Sequence, residues 1–237
     1  AMRLVGDPSA PRLVTIRSGK DLTGQMQSFC ERKLAELAQD DLCGFVFKKN
    51  SPSSGLFRVK VYQEKNGMPS PNGRGLFAAA FCKQFPLLPV EEEGRLYDPA
   101  LRENFLERIF CYRRWKDFEQ HDGSLSGLVS FHARHKFLIL SHSPQQLREL
   151  GRLVAQGKQM PLPTMREQYL ATFMKALSLQ ATPAKQVNTL QHVMGFFKKQ
   201  LEPWEKQELL DLIEAYRQRL LPLIVPITLL NHYIRKY

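Results

Sequence analysis

The sequence predicts an α+β protein in two parts: a truncated α/β, Rossmann-like portion over residues 1–122, then an all-helical portion over residues 123–237. Three observations predict it. Strand-like and helix-like stretches alternate up to about residue 96, and from Pro99 onward the apolar period becomes 3.6 residues. A chain of 237 residues is long for a single core, since domains commonly run to about 100–150 residues. Charge divides as well: residues 1–123 carry 19 basic and 16 acidic side chains, net +3, while residues 124–237 carry 15 and 7, net +8.

Taken in order, residues 12–17 form a short β-rich run. Asp21 then opens a helix bearing Leu22, Met26, Phe29, Cys30, Leu34 and Leu37 at three- and four-residue spacing. Residues 44–49 are a second strand, residues 50–55 a turn-rich loop, and residues 57–62 alternate as a half-buried strand does. A loop rich in Gly, Pro and Asn over residues 66–75 leads to a helix over residues 76–85, and residues 87–96 are extended and end in an acidic turn. Three strands fall short of the roughly five of a doubly wound sheet, so the sheet reads as truncated at its N-terminal side. Beyond it, Pro and Gly punctuation predicts helices over residues 100–119, 125–142, 144–156, 165–178, 183–201, 203–219 and 223–236.

Composition bounds the function. With 43% apolar and 24% charged residues the chain can build cores, which excludes a disordered class. The apolar stretch over residues 220–230 is broken by Pro222 and Pro226 and is shorter than the roughly 20 residues that span a bilayer, so no membrane partner is expected. The opening residues show neither a basic n-region nor an apolar h-region and read as a boundary inside a longer protein. Cys30, Cys43, Cys82 and Cys111 have no C-x-x-C spacing, as expected of reduced thiols in a cytoplasmic protein. The net charge of +11 calls for a polyanionic partner, and the helical half holds most of it.

Four stretches are candidates for chemistry. Lys48 and Lys49 precede Asn50-Ser51-Pro52-Ser53-Ser54-Gly55 between two strands, where an open sheet places ligand loops. Its amides and hydroxyls suit an anion, which makes Lys48, Lys49, Ser53 and Ser54 candidate substrate-binding residues; the same residues also read as a plain polar turn. Glu91, Glu92 and Glu93 read as a solvated turn or as a source of a general acid. His132, Arg134, His135, Lys136 and His142 form the densest polar cluster, with His135 inside a stripe of Leu128, Phe131 and Ile139. They read as an RNA surface, with Arg134 and Lys136 on phosphates, or as structural histidines. A metal set lacks H-E-x-x-H or a cysteine partner, and none is expected. Asn188, His192, Lys198 and Lys199, with Phe196 beside them, form a second basic and aromatic group, and Arg148 and Arg152 complete the candidate RNA contacts.

Residues 124–237, with Phe-His-Ala-Arg-His-Lys-Phe-Leu-Ile-Leu-Ser-His-Ser-Pro, Glu149–Val154 and Phe196–Leu201, resemble the YbgA-type helical domain. Residues 3–119, with Gly-Phe-Val-Phe-Lys-Lys-Asn-Ser-Pro-Ser-Ser-Gly, Gly73–Ala78 and Pro89–Leu96, resemble the later part of a thiouracil-desulfidase (TudS-type) domain. Fused in this order, the two are similar to tRNA 4-thiouridine desulfidases of the RudS type. The resemblance implies removal of sulfur from thiolated uridine in tRNA, with no DNA partner, on a [4Fe–4S] cluster held by three cysteines whose open iron takes the sulfur. It maps the family's motif serine to Ser51 as the catalytic residue and one ligand cysteine to position 54, which here is Ser54. The other two ligands and an active-site glutamate are expected upstream of Arg3; Cys43 is the one internal substitute. The expectation is therefore that the chain as it stands is inactive. The rival classes are a non-catalytic RNA-binding module and a helical domain that docks a protein through Trp204 and Phe196.

Overall fold

The structure is a computed structural model that describes residues 1–63, 68–157 and 159–237. It divides into two compact units, Ala1–Lys116 and Asp117–Tyr237.

In the first unit β1 (Met2–Val5) pairs antiparallel with β2 (Arg12–Thr15), Leu4 opposite Leu13. On its other side β1 runs parallel to β4 (Val59–Tyr62), which pairs antiparallel with β5 (Ser70–Gly73). The order is β2-β1-β4-β5. β3 (Phe45–Phe47) and β6 (Val90–Glu92) form a separate parallel pair. Among the described residues six strands in two small sheets thus replace the single three-stranded layer expected. β1 and β5 were missed because Met2–Val5 is too short for a period and Ser70-Pro71-Asn72-Gly73 has turn composition; β5 is a strand because β4 supplies its ladder. Of the loop expected over residues 66–75, residues 66 and 67 lie outside the described residues.

α1 (Thr23–Leu37) and α2 (Leu76–Gln84) cover these sheets. Leu4, Leu13, Val59 and Val61 form one core with Leu22, Met26 and Leu76 against it. Phe47, Phe77 and Phe81, with Cys30, Leu56 and Leu88, form the other, and Phe45 lies 4.4 Å from Phe81 between ring centroids. Aromatic burial of this kind is what lets such short strands hold together.

α3 (Pro99–His121) is followed by α4 (Leu125–His142), α5 (Pro144–Ala155), α6 (Leu162–Ser178), α7 (Pro183–Met194), α8 (Pro203–Arg217) and α9 (Ile224–Lys236). Starts are set by side-chain caps: Ser124 accepts from Gly127 N, Ser143 from Gln146 N and Thr182 from Lys185 N. Proline opens α5, α7 and α8, where its missing N–H costs nothing. α6 begins three residues before the expected start because Pro163 fits its first turn. The helix expected over residues 183–201 stops at Met194 and tightens into a 3-10 turn, Gly195–Phe197. Lys198 and Lys199 therefore do not share a helix face with Asn188 and His192. α4, α5 and α6 pack around Leu128, Phe131, Tyr169 and Phe173, and α7, α8 and α9 around Leu190, Leu209, Ile213 and Tyr233. Among the described residues no helix is long and apolar enough to cross a membrane.

Candidate functional site

The serine loop is clamped onto the start of α2. Carbonyls of Pro52 and Ser53 accept from Leu76 N (3.3 Å), Phe77 N (2.8 Å) and Ala78 N (3.3 Å), so the loop's own backbone satisfies the helix amides that lack intrahelical partners. Gly75 permits this approach, because a Cβ there would collide with the Ser53 carbonyl. Ser51 Oγ faces inward on the loop: it accepts from Ser54 N (3.1 Å) and Ser53 N (3.3 Å) and lies 3.0 Å from Ser53 Oγ. Gly55 N donates to Ser51 O (2.8 Å). The amides of Ser53, Ser54 and Gly55, which were expected to cradle an anion, are thus already engaged within the turn. Lys48 pairs with Glu93 at 2.9 Å, an ion pair that holds Glu93 below the usual carboxylate range.

The acidic stretch is not a solvated turn. Glu91 and Glu92 are 5% and 3% exposed, and only Glu93 faces solvent. Glu92 Oε1 accepts from Leu56 N (2.8 Å) and Phe57 N (2.9 Å), pinning the segment between the serine loop and β4. Glu91 Oε1 accepts from Arg95 Nε (2.8 Å) and from Glu92 N (2.9 Å). Buried carboxylates persist only with such partners.

Beside Glu92 opens a cleft of about 1060 Å³, lined by Arg12, Lys49, Arg58, Arg74 and Arg95 among others. Ser51, Ser53 and Ser54 are not among its lining residues; of the expected substrate-binding set Lys49 alone reaches it. Sequence reasoning missed Arg58, and it read Glu92 only as one of three adjacent carboxylates. Arg58 takes φ 53°, a conformation that nothing in the local sequence marks.

The cysteines do not fit an iron–sulfur cluster. Cys30 and Cys111 are buried, burial pushes the Cys82 thiol up, and it pushes Cys111 up to about 12, whereas a cluster ligand must be a thiolate. Cys43 is half-buried with Sγ 3.8 Å from Asp41 O. Among the described residues no three His, Cys, Asp or Glu side chains converge on a metal position.

In the helical unit the candidate set divides. His135 is buried: its Nδ1 donates to Phe131 O (2.8 Å) and its ring stacks on Phe131 at 4.1 Å. His142 is buried as well, with Nδ1 donating to Leu179 O (2.5 Å), while Lys185 Nζ donates to the His142 carbonyl (2.7 Å). His142 thereby ties α4 to the end of α6, and His135 packs its ring against Phe131 and Phe173. Of the two readings open for them, structural histidine is the one found and RNA contact is corrected; the apolar stripe they share with Leu128 and Ile139 carries them inside. His132 is half-buried and shares a 3.1 Å hydrogen bond with Tyr169 Oη; burial first, then Lys136, holds it below the usual imidazole range. Arg134, Arg148, Arg152, Asn188, His192, Lys198 and Lys199 are exposed. Lys136 Nζ lies 4.9 Å from the Phe137 ring and 5.5 Å from that of Phe196, which is 62% exposed and sits in the turn just before Lys198. Cation and aromatic are thereby brought together on one surface.

Residues 1–93 match the family model described as 2-thiouracil desulfurase, and residues 136–237 match that of a protein of unknown function, DUF1722. The uncharacterized protein YbgA of Escherichia coli (strain K12) is 32% identical over 136 residues, which cover 57% of this chain and 80% of that protein. No solved structure matches the chain.

Proposed function

Since the chain belongs to the family of the uncharacterized Escherichia coli protein YbgA and carries a 2-thiouracil desulfurase-like region, we propose that it serves sulfur removal from 4-thiouridine in tRNA. The desulfurase-like unit addresses the thiolated base, and the basic helical unit holds the RNA, in the manner of the RudS-type fusion. The observation that carries this reading is the joining, in one chain, of a desulfurase-like region to a helical half of net charge +8 in which Arg134, Arg148, Arg152, Lys198 and Lys199 are exposed. In net terms the thiocarbonyl exchanges its sulfur for the oxygen of water, releasing hydrogen sulfide. A cytoplasmic location goes with a tRNA substrate. Ser51 enters as a positioning residue that shapes the loop on α2.

The cell is the direct test. Deleting the gene should raise the 4-thiouridine fraction of total tRNA, measured by mass spectrometry of nucleosides; an unchanged fraction sinks the desulfidase reading. A second reading, an RNA-binding module without turnover, is favoured by the hydroxyl at Ser54 and by thiols that do not converge among the described residues. It predicts that the 237-residue chain, mixed with thiolated tRNA under anaerobic conditions, binds it and releases no sulfide.

A further inference from the structure

α3 is buried along one side only. Phe105, Cys111 and Trp115 face inward, Arg108 Nη2 donates to Val90 O (3.4 Å), and Ile109 packs so closely on Gly44 that a Cβ there would collide with it. The opposite side carries Glu103, Leu106, Phe110 and Arg114, all exposed. Leu106 is 45% and Phe110 59% exposed, and their spacing of four residues sets them side by side on the helix. Single exposed apolar residues are ordinary on a protein surface, whereas adjoining large ones mark a place where something binds.

Charge on this ridge follows a pattern. Glu103 and Arg114 are separated by three helical turns to within about 20°, so they stand on one line about 16 Å apart with the apolar pair between them. The midpoint of the two charges and the midpoint of the two apolar residues both fall at residues 108–109. Along the line the order is acid, leucine, phenylalanine, base. Turned end to end, that order is complementary to itself: an antiparallel second copy sets Glu103 opposite Arg114 and Leu106 opposite Phe110, each twice. Glu103 and Arg114 form no ion pair among the described residues, whereas the neighbouring Arg113 is held by Asp41.

We propose that the outer face of α3 is an interface between two copies of this chain, packed antiparallel about a two-fold axis at residues 108–109. A two-fold contact uses the same patch on both copies, and this ridge meets that requirement in charge and in apolar surface alike. Leu106 and Phe110 form the apolar centre, and the two Glu103–Arg114 pairs form the rim and set the register. A partner of another kind could use the apolar pair but has no use for opposite charges placed symmetrically about it. One helix face buries less than the ~1,200 Å² of a stable complex, so the dimer is weak and depends on concentration. It needs neither RNA nor sulfur and stands or falls apart from the desulfidase reading.

The test is sedimentation equilibrium of the full chain at low salt, over about 1 to 500 µM, the range in which micromolar association shows. A reversible monomer–dimer equilibrium is expected. Phe110→Ser should raise the dissociation constant at least about tenfold, since it strips apolar area from both copies, while Tm holds because the residue is exposed. Glu103→Arg and Arg114→Glu each set like charges face to face twice, and each should leave the protein monomeric. Mixed in equal amounts, those two variants restore opposite charges at both contacts, so a heterodimer should form from two proteins that do not self-associate. General stickiness of an apolar patch would not give that result. A wild-type chain that stays monomeric throughout the range overturns the proposal. So does a dimer that survives Phe110→Ser and both charge reversals, or a mixture of the folded reversal variants that stays monomeric.

Discussion

Glu92 reaches across 36 residues of chain to hold the amides of Leu56 and Phe57 with a single oxygen. A hydrogen bond to a charged group contributes about 1.5–3 kcal/mol, and the amides it leaves behind are buried or half-buried. Glu92→Ala should therefore lower unfolding stability by about 2–3 kcal/mol, read from the urea midpoint at constant m value, whereas Glu92→Gln keeps an oxygen acceptor and should lose less. A Glu92→Ala protein as stable as the wild type would show that the loop is held by α2 instead. Nothing local in three consecutive glutamates marks the middle one as buried, because its partners lie on a distant loop. His135 was half legible: the apolar stripe around it offered the inward position beside the RNA-contact reading, and the inward position is the one found. Charged residues thus reveal their surroundings only where a neighbouring period does the revealing.

At the scale of elements, the helices were legible because each carries its own start signal, as Ser143-Pro144 and Thr182-Pro183 do, and a 3.6-residue stripe behind it. β1 and β5 were not, since a four-residue strand is made by its neighbour's ladder. The joint between α8 and α9 shows a further tertiary device. Glu205, in the first turn of α8, is 1% exposed and accepts from Glu202 N (2.9 Å), from Lys236 Nζ (2.6 Å) and from Tyr237 Oη (2.7 Å) at the far end of α9. Lys236 foremost, then the Glu202 amide and Tyr237, hold its carboxyl at about 2, below the ordinary value of 4.5. A depressed carboxyl gives stability that is complete above the unfolded value and is lost as pH falls toward the folded one. The joint should thus weaken between pH 4.5 and about 2. Acid titration of the melting temperature should show this loss in the wild type and a smaller one in Glu205→Gln; identical acid slopes would mean that other carboxylates dominate.

Across the whole molecule the uneven charge was plain in the sequence, and the structure adds which cations remain available for a partner. Lys198 and Lys199 stand exposed in the turn after Phe196, while Lys185 is spent on the carbonyls of His142 and Gln180. If exposed lysines neutralise phosphates, each contact releases counterions, and the logarithm of tRNA affinity falls linearly with the logarithm of salt by about 0.7–0.9 per contact. Lys198→Ala with Lys199→Ala should weaken tRNA binding for all sequences alike and flatten that line by about one to two, leaving the melting temperature in place. His135→Ala should do the reverse, since its ring is stacked on Phe131 and its Nδ1 is bonded within α4: a lower melting temperature with an unchanged salt slope. The two variants together separate a phosphate contact from a core residue in one titration series. A full chain with no detectable affinity for tRNA at low salt would remove RNA from the account and leave the exposed Trp204 and Phe196 to a protein partner.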